Sequence, residues 1–281
     1  MIEISEVTID RILNPTSIDL GEYVINPYMG CEYSCMYCYV KSNKAVYKKK
    51  KPWGMYVNVR MNAPALLEKE IEMKRPKTVL LGSTTECFQP AEHTYHITKQ
   101  IIEILHNNNV SYVILTRSPY ILEYIPLLKQ GFCSKIYFTT NNFNNDLKQL
   151  LEPKSPSFAA RNHAIIKLLE EGLTVIPYFS PVIPWITNLK GAFSSFTKAK
   201  CVEFEFLNFN LKDIHEIIHN ILQIDPSLKR SFDVLLYDKD FYRQIWRNIE
   251  METETLATLW KKDFKIYKHD FGKFFENSYS Q

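Results

Sequence analysis

The sequence predicts an α/β fold: six successive strand-then-helix units, followed by an extension of different pattern. Three observations carry that expectation. Short β-branched or aromatic runs alternate with longer stretches of helical periodicity. The strand runs are nearly continuous in apolar residues, as expected where helices cover both sheet faces. Helix start and stop residues stand at the boundaries. With 281 residues, 46% of them hydrophobic, the chain can bury a large core.

The strand candidates are Glu22–Asn26, Thr78–Leu81, Tyr112–Thr116, Lys135–Thr140, Thr174–Phe179 and Val202–Leu207. The helix candidates are Ala63–Lys74, Thr94–Asn107, Pro119–Lys129, Ser157–Glu171, Leu189–Ala199 and Leu211–Leu222. Asn62-Ala63-Pro64 reads as a helix start, with Asn62 as N-cap and the proline in the first turn. Glu171-Gly172 reads as a helix stop. Repeated βα units imply parallel strands with right-handed crossovers, as either an open doubly wound sheet or a barrel-like sheet. Ligands gather at the C-terminal strand ends in both architectures. The alternation stops near Asp225. Residues 1–224 form the expected core, and residues 225–281 an extension of helical patterns, a strand candidate at Lys265–His269 and an aromatic tail.

A net charge of +3 permits an anionic partner without demanding one. No signal pattern is visible and no apolar run could span a bilayer, so a soluble cytoplasmic protein with no membrane partner is expected. Three of the six cysteines, Cys31, Cys35 and Cys38, follow the first strand candidate as C-x-x-x-C-x-x-C. Cys87, Cys133 and Cys201 lie far apart. Clustered thiols without a secretion signal point to a metal rather than to disulfides. Structural zinc closes four ligands, and no second Cys or His pair stands nearby. Three thiolates can instead ligate three irons of a [4Fe–4S] cube, leaving the fourth iron without a protein ligand. A catalytic zinc with an open position is the alternative.

Two weaker signals compete. His215-Glu216-Ile217-Ile218-His219 matches H-E-x-x-H, with Glu250, Glu252 and Glu254 as candidate third ligands. Ile214, Ile217, Ile218 and Ile221 form the core stripe of that helix, leaving both histidines at its border. Lys48–Lys51, followed by Pro52-Trp53, reads either as a grip on a nucleic-acid backbone with a stacking aromatic or as a solvated lysine face.

Several segments share the order of one known family: Asn26–Cys31, Cys35–Tyr39, Asn62–Pro64, Thr85–Glu92, Thr116–Ser118, Leu151–Pro153 and Pro181–Pro184. The cysteine motif after the first strand resembles the radical S-adenosylmethionine (SAM) superfamily, and the wider pattern resembles its spore photoproduct lyase-like group. The resemblance implies a partial (βα)6 barrel with a C-terminal α+β extension. It also implies a [4Fe–4S] cluster on Cys31, Cys35 and Cys38, with SAM chelated at the open iron and an external electron donor such as a flavodoxin or ferredoxin. The implied substrate is a nucleic acid or nucleotide; a peptide or small metabolite, or a cluster- or zinc-binding module without SAM chemistry, are the alternatives.

The resemblance also implies residue roles. Thr85 and Glu86 would accept the SAM ammonium. Arg117, where the family usually has lysine, would pair with the SAM carboxylate. Thr139 and Asn141 would bond the methionine or ribose portion. Glu152 and Arg161 would form a ribose contact or an ion pair of their own. Tyr37 would lie beside the adenine, the reading favoured for it over loop packing, and Tyr39 matches a tyrosine that takes part in radical transfer, with loop packing as its alternative. One departure stands out: Ser83 occupies the place of the lyase's hydrogen-donating cysteine, with Cys87 nearby as a displaced donor or a small apolar filler. Trp185 either shapes a substrate pocket or belongs to the core.

Overall fold

The computed structural model describes residues 2–43, 46 and 51–269. The chain divides into two compact units. One comprises Met1–Ser34, Asn43–Thr139 and Lys154–Ile176; the other comprises Cys35–Ser42, Thr140–Pro153 and Pro177–Gln281.

The first unit carries β1 (Glu3–Val7), β2 (Asn14–Pro15), β3 (Tyr23–Ile25), β4 (Tyr28–Met29), β5 (Tyr56–Arg60), β6 (Thr78–Leu81), β7 (Ser111–Thr116) and all but the last residue of β8 (Cys133–Thr140). Strands β3, β6, β7 and β8 run parallel in that order, with β2 antiparallel on the outer side of β3. Their residues Ile25, Val79, Leu80, Leu81, Ile114 and Ile136 are buried, as the apolar runs require. Parallel pairing brings the C-terminal ends of these strands to one edge, and the segments leaving that edge begin at Asn26, Gly82 and Arg117. A second, small sheet, β1–β5–β4, was not expected. In it β4, part of the cysteine-bearing loop, pairs antiparallel with β5.

Helix Ala63–Lys74 spans the expected residues. Asn62 stands at its N-cap position but makes no cap bond. Its side chain instead bonds the backbone of Ile9, accepting from N–H at 2.9 Å and donating to C=O at 2.8 Å. The helix expected over Thr94–Asn107 is broken at His96, which has φ 51°, into Glu92–Tyr95 and Ile97–Asn107. Fully buried Glu92 accepts from the N–H groups of Thr98 (2.9 Å) and Lys99 (3.0 Å), so it caps the second helix from within the first. Pro119–Lys129 becomes a 3-10 turn, Pro119–Tyr124, and a short helix, Ile125–Leu128. Pro126 lacks the N–H that a continuous α-helix would need.

The second unit holds the parallel set β9 (Val175–Val182), whose first two residues belong to the first unit, β10 (Cys201–Phe206) and β11 (Asp263–Tyr267). Helices Asn145–Leu151, Leu189–Ser194, Ile214–Ile224, Lys229–Tyr237 and Lys239–Trp260 complete it. Trp246 stacks on Phe206 with ring centroids 3.9 Å apart, tying the longest helix to β10. Residues 225–269 of the expected extension thus lie in this unit, and the strand expected at Lys265–His269 starts two residues earlier. Ile214, Ile217, Ile218 and Ile221 are buried, whereas His215 and His219 are exposed. Lys48–Lys50 and residues 270–281 fall outside the described residues.

Candidate functional site

The loop after β3 begins at the strand-end edge and is tied there residue by residue. Asn26 accepts from Thr84 N–H (2.9 Å) through its side chain, and its C=O accepts from Arg60 (2.8 Å). Gly30 has φ 97°, and a Cβ there would lie 2.2 Å from the Tyr56 carbonyl oxygen, so only glycine fits. The Gly30 C=O accepts from Thr85 Oγ1 at 2.5 Å and from Gln89 Nε2 at 3.5 Å. Glu32 N–H donates to Gln89 Oε1 at 2.9 Å, and the Glu32 carboxylate accepts from Ala91 N–H at 2.7 Å. Tyr33 OH donates to Ser118 Oγ at 2.8 Å.

Glu86 organises the neighbouring strand end. Its carboxylate accepts from Thr116 Oγ1 (2.7 Å), Arg117 N–H (2.9 Å) and Phe88 N–H (3.0 Å). Burial nevertheless wins and pushes its pKa up, against those bonds and the Arg117 charge. Cys87 is fully buried, and its thiol pKa lies well above the usual value because of burial first and Glu86 and Glu92 second.

The rest of the loop, Cys35–Ser42, is held differently. Met36 N–H donates to Leu151 C=O at 2.8 Å. The hydroxyl of half-buried Tyr37 bonds the carboxylate of fully buried Glu152. Turn bonds run from Cys38 N–H to Cys35 C=O and from Lys41 N–H to Cys38 C=O, both 3.2 Å. Lys41 pairs with Asp213 and donates to Met36 C=O at 3.0 Å. Tyr39 is 53% exposed.

Among the other expected site residues, Asn141 donates to Pro181 C=O at 2.7 Å and accepts from Asn142 N–H at 3.0 Å. Thr139 is buried on β8. Arg161 is fully buried, donates through Nε to Pro156 C=O at 3.0 Å, and lies over the Phe158 ring at 5.0 Å. Trp185 is exposed on one side and meets Phe232 edge-on. Sequence reasoning missed Glu32, Tyr33, Gln89 and Ser118. Gln89 and Ser118 stand inside the family-ordered segments Thr85–Glu92 and Thr116–Ser118 without an assigned role, and the signal for Glu32 and Tyr33 was polarity beside the cysteines.

All six cysteines are outside disulfides; Cys35 is buried, and Cys31 and Cys38 are half-exposed. Among the described residues, no group of three or more His, Cys, Asp or Glu side chains is arranged to hold a metal ion. The fit to an iron–sulfur cluster therefore rests on donor chemistry, three thiols on one short loop, rather than on preformed ligand geometry.

Parallel strands with helical returns, and a thiol loop leaving their C-terminal edge, define an α/β protein with a candidate cofactor loop. The chain belongs to the radical SAM superfamily, whose family model matches residues 25–188. The uncharacterized protein MJ0683 of Methanocaldococcus jannaschii is 32% identical over 269 residues, 94% of this chain and 96% of that relative. The uncharacterized protein Rv2578c of Mycobacterium tuberculosis is 25% identical over 173 residues, 59% of this chain and 51% of that one. Spore photoproduct lyase complexed with dinucleoside spore photoproduct is similar in structure, with a TM-score of 0.63 at 16% identity over 95% of this chain and 82% of that one. Streptococcus suis SuiB bound to S-adenosylmethionine gives a TM-score of 0.54 at 10% identity, over 88% and 47%. These structural likenesses show an α/β fold with mostly parallel strands and helices, as in radical SAM structures. The family implies a [4Fe–4S] cluster and SAM.

Proposed function

We propose that the protein is a radical SAM enzyme that holds a [4Fe–4S] cluster on Cys31, Cys35 and Cys38, cleaves SAM reductively, and acts on a nucleic acid or nucleotide. The observation that carries the reading is the three-thiol loop leaving the C-terminal edge of parallel strands in a chain of this family. When bound, the cluster supplies the electron that breaks a C–S bond of SAM to give a 5′-deoxyadenosyl radical. The protein's own work is binding and orientation.

Glu86 and Arg117 are assigned to the ammonium and carboxylate of SAM. In support, three hydrogen bonds fix the Glu86 carboxylate, one of them from the Arg117 backbone. Thr139 and Asn141 are assigned to the methionine or ribose portion, with the Asn141 amide oriented by Pro181. Tyr37 is assigned to the adenine, its hydroxyl anchored by Glu152. The exposure of Tyr39 suits a residue that meets substrate or radical. An external flavodoxin- or ferredoxin-like protein would deliver the electron. The nucleic-acid branch draws on the spore photoproduct lyase-like order of segments and on Lys48–Lys51. Ser83, in place of the lyase's cysteine, argues for a reaction other than the lyase's own.

Anaerobic reconstitution with iron and sulfide, reduction and addition of SAM should yield about four irons per chain and 5′-deoxyadenosine. Iron without 5′-deoxyadenosine would overturn the enzyme reading; zinc alone with no cluster spectrum would overturn the cluster. DNA binding should weaken with salt and after replacement of Lys48–Lys51 by serine, and no binding at low salt removes the nucleic-acid branch.

A further inference from the structure

The two peptide planes that flank Cys31 are both gripped by one neutral side chain and its neighbour. The Gly30 C=O belongs to the plane that ends in the Cys31 nitrogen, and the Glu32 N–H belongs to the plane that begins with the Cys31 carbonyl carbon. Gln89 accepts from Glu32 N–H at 2.9 Å through Oε1. Through Nε2 it donates to Thr85 Oγ1 at 3.2 Å and, at the long limit of 3.5 Å, to the Gly30 C=O. Thr85 spends its one hydroxyl proton on the Gly30 C=O at 2.5 Å, so its oxygen is left to accept from Gln89. The donor directions are therefore consistent from Gln89 through Thr85 to Gly30.

An amide offers a neutral acceptor and a neutral donor at this spacing whatever the pH. A carboxylate at position 89 would keep the acceptor for Glu32 and face Thr85 and Gly30 without a proton to give. An apolar side chain would leave the Glu32 N–H buried and unmet. Gln89 is fully buried, at 0% relative exposure, so water cannot take over these bonds. A buried amide is not the cheapest way to stabilise a core, since apolar groups of the same shape serve as well. Its placement on both sides of one cysteine is what an apolar residue could not reproduce.

We propose that Gln89, with Thr85, is a positioning residue that fixes both peptide planes of Cys31 before any cofactor arrives, presenting the first thiol of the motif as a preset ligand. The purpose of that arrangement rests on the cluster reading; the arrangement itself does not. Gln89 acts through the backbone of residues 30–32 and makes no claim on the thiol.

The test uses the cofactor-free full chain and the variants Gln89→Met and Gln89→Glu. Amide exchange read by NMR should speed about tenfold or more at Glu32 in Gln89→Met, the loss of one buried hydrogen bond. Iodoacetamide should also alkylate Cys31 faster relative to Cys35 and Cys38. Gln89→Glu keeps the acceptor and should keep the Glu32 amide protected. After reconstitution, Gln89→Met should bind less iron than the wild type. An unchanged Glu32 exchange rate in a Gln89→Met protein that melts normally overturns the proposal. If Gln89→Met melts early, Thr85→Val decides: faster alkylation of Cys31 with Glu32 still protected supports the proposal, and unchanged alkylation overturns it. A wild type that takes up no iron sinks the cluster reading alone, because exchange and alkylation in the cofactor-free chain still decide the positioning role.

Discussion

Residues on either side of Ser34 show two ways of holding one cysteine motif. Before it, Gly30–Tyr33 is fixed by Thr85, Gln89, Ala91 and Ser118, through bonds among groups that are almost wholly buried. After it, Cys35–Ser42 is held by its own turn bonds, by Met36 N–H on Leu151 C=O, by Tyr37 on Glu152 and by the Lys41–Asp213 pair, whose side chains are 30% and 34% exposed. Ser34 itself takes φ 54°, a left-handed conformation that costs a residue with a Cβ. Bonds shielded from water are expensive to leave unmade, whereas exposed ones exchange with solvent at little cost. The first thiol is therefore expected to be preset and the later two to adjust more readily.

The largest effects come from the thiols themselves. Cys31→Ala, Cys35→Ala and Cys38→Ala should each abolish 5′-deoxyadenosine formation. Iron retention sharpens the comparison: Cys31→Ala should retain the least iron after reconstitution, because it removes the ligand that is held in place beforehand. Equal iron in all three variants would break the distinction between preset and adjustable thiols.

A second test targets the exception within the looser segment. Within that segment the Tyr37 hydroxyl bonds a fully buried carboxyl group, that of Glu152. Tyr37→Phe takes a donor from a buried carboxylate and should cost about 2 kcal/mol, while Tyr33→Phe takes one from the Ser118 hydroxyl and should cost about 1 kcal/mol. Urea denaturation of both variants measures the difference. The reverse order would show that Glu152 is satisfied by other groups and that Tyr37 contributes packing alone.

How much of this was legible in the sequence follows from what each feature depends on. Helix Ala63–Lys74 and strand Thr78–Leu81 came out residue for residue, because the proline and the apolar run are local signals. The β1–β5–β4 sheet did not, since Glu3 meets Tyr56 only through distant pairing. The break at His96 was hidden because its cause is a side chain, Glu92, that reaches over the following turn. In the loop, the cysteine spacing was plain. The use of Thr85 and Gln89 was not, because their partners are backbone groups of residues 30–32, and a backbone group leaves no mark on composition or spacing.

A smaller effect is expected at Lys41. Its pair with Asp213 is partly exposed, so Lys41→Ala should cost less than about 1 kcal/mol, and less again at high salt. Denaturation at low and high ionic strength checks it. A larger, salt-insensitive loss would mean that the donation from Lys41 to Met36 C=O, rather than the ion pair, holds the turn.

The smallest effect is a slope with pH, and it asks what kind of force holds the tight segment. Burial raises the pKa of Glu32, against the Ala91 N–H bond and the charges of Lys154 and His93. A carboxyl whose folded pKa is raised contributes stability that is fully present below its unfolded pKa and is lost as pH rises through the folded value. Wild-type stability should therefore fall relative to Glu32→Gln between about pH 4 and about pH 7, since the amide has no such titration. Urea midpoints for the two proteins at both pH values measure it. A wild type that gains on the variant as pH rises would mean that Ala91 N–H, Lys154 and His93 outweigh burial. The Cys31 side would then be held by charge, as Lys41 holds the other side, and the two segments would differ in degree rather than in kind.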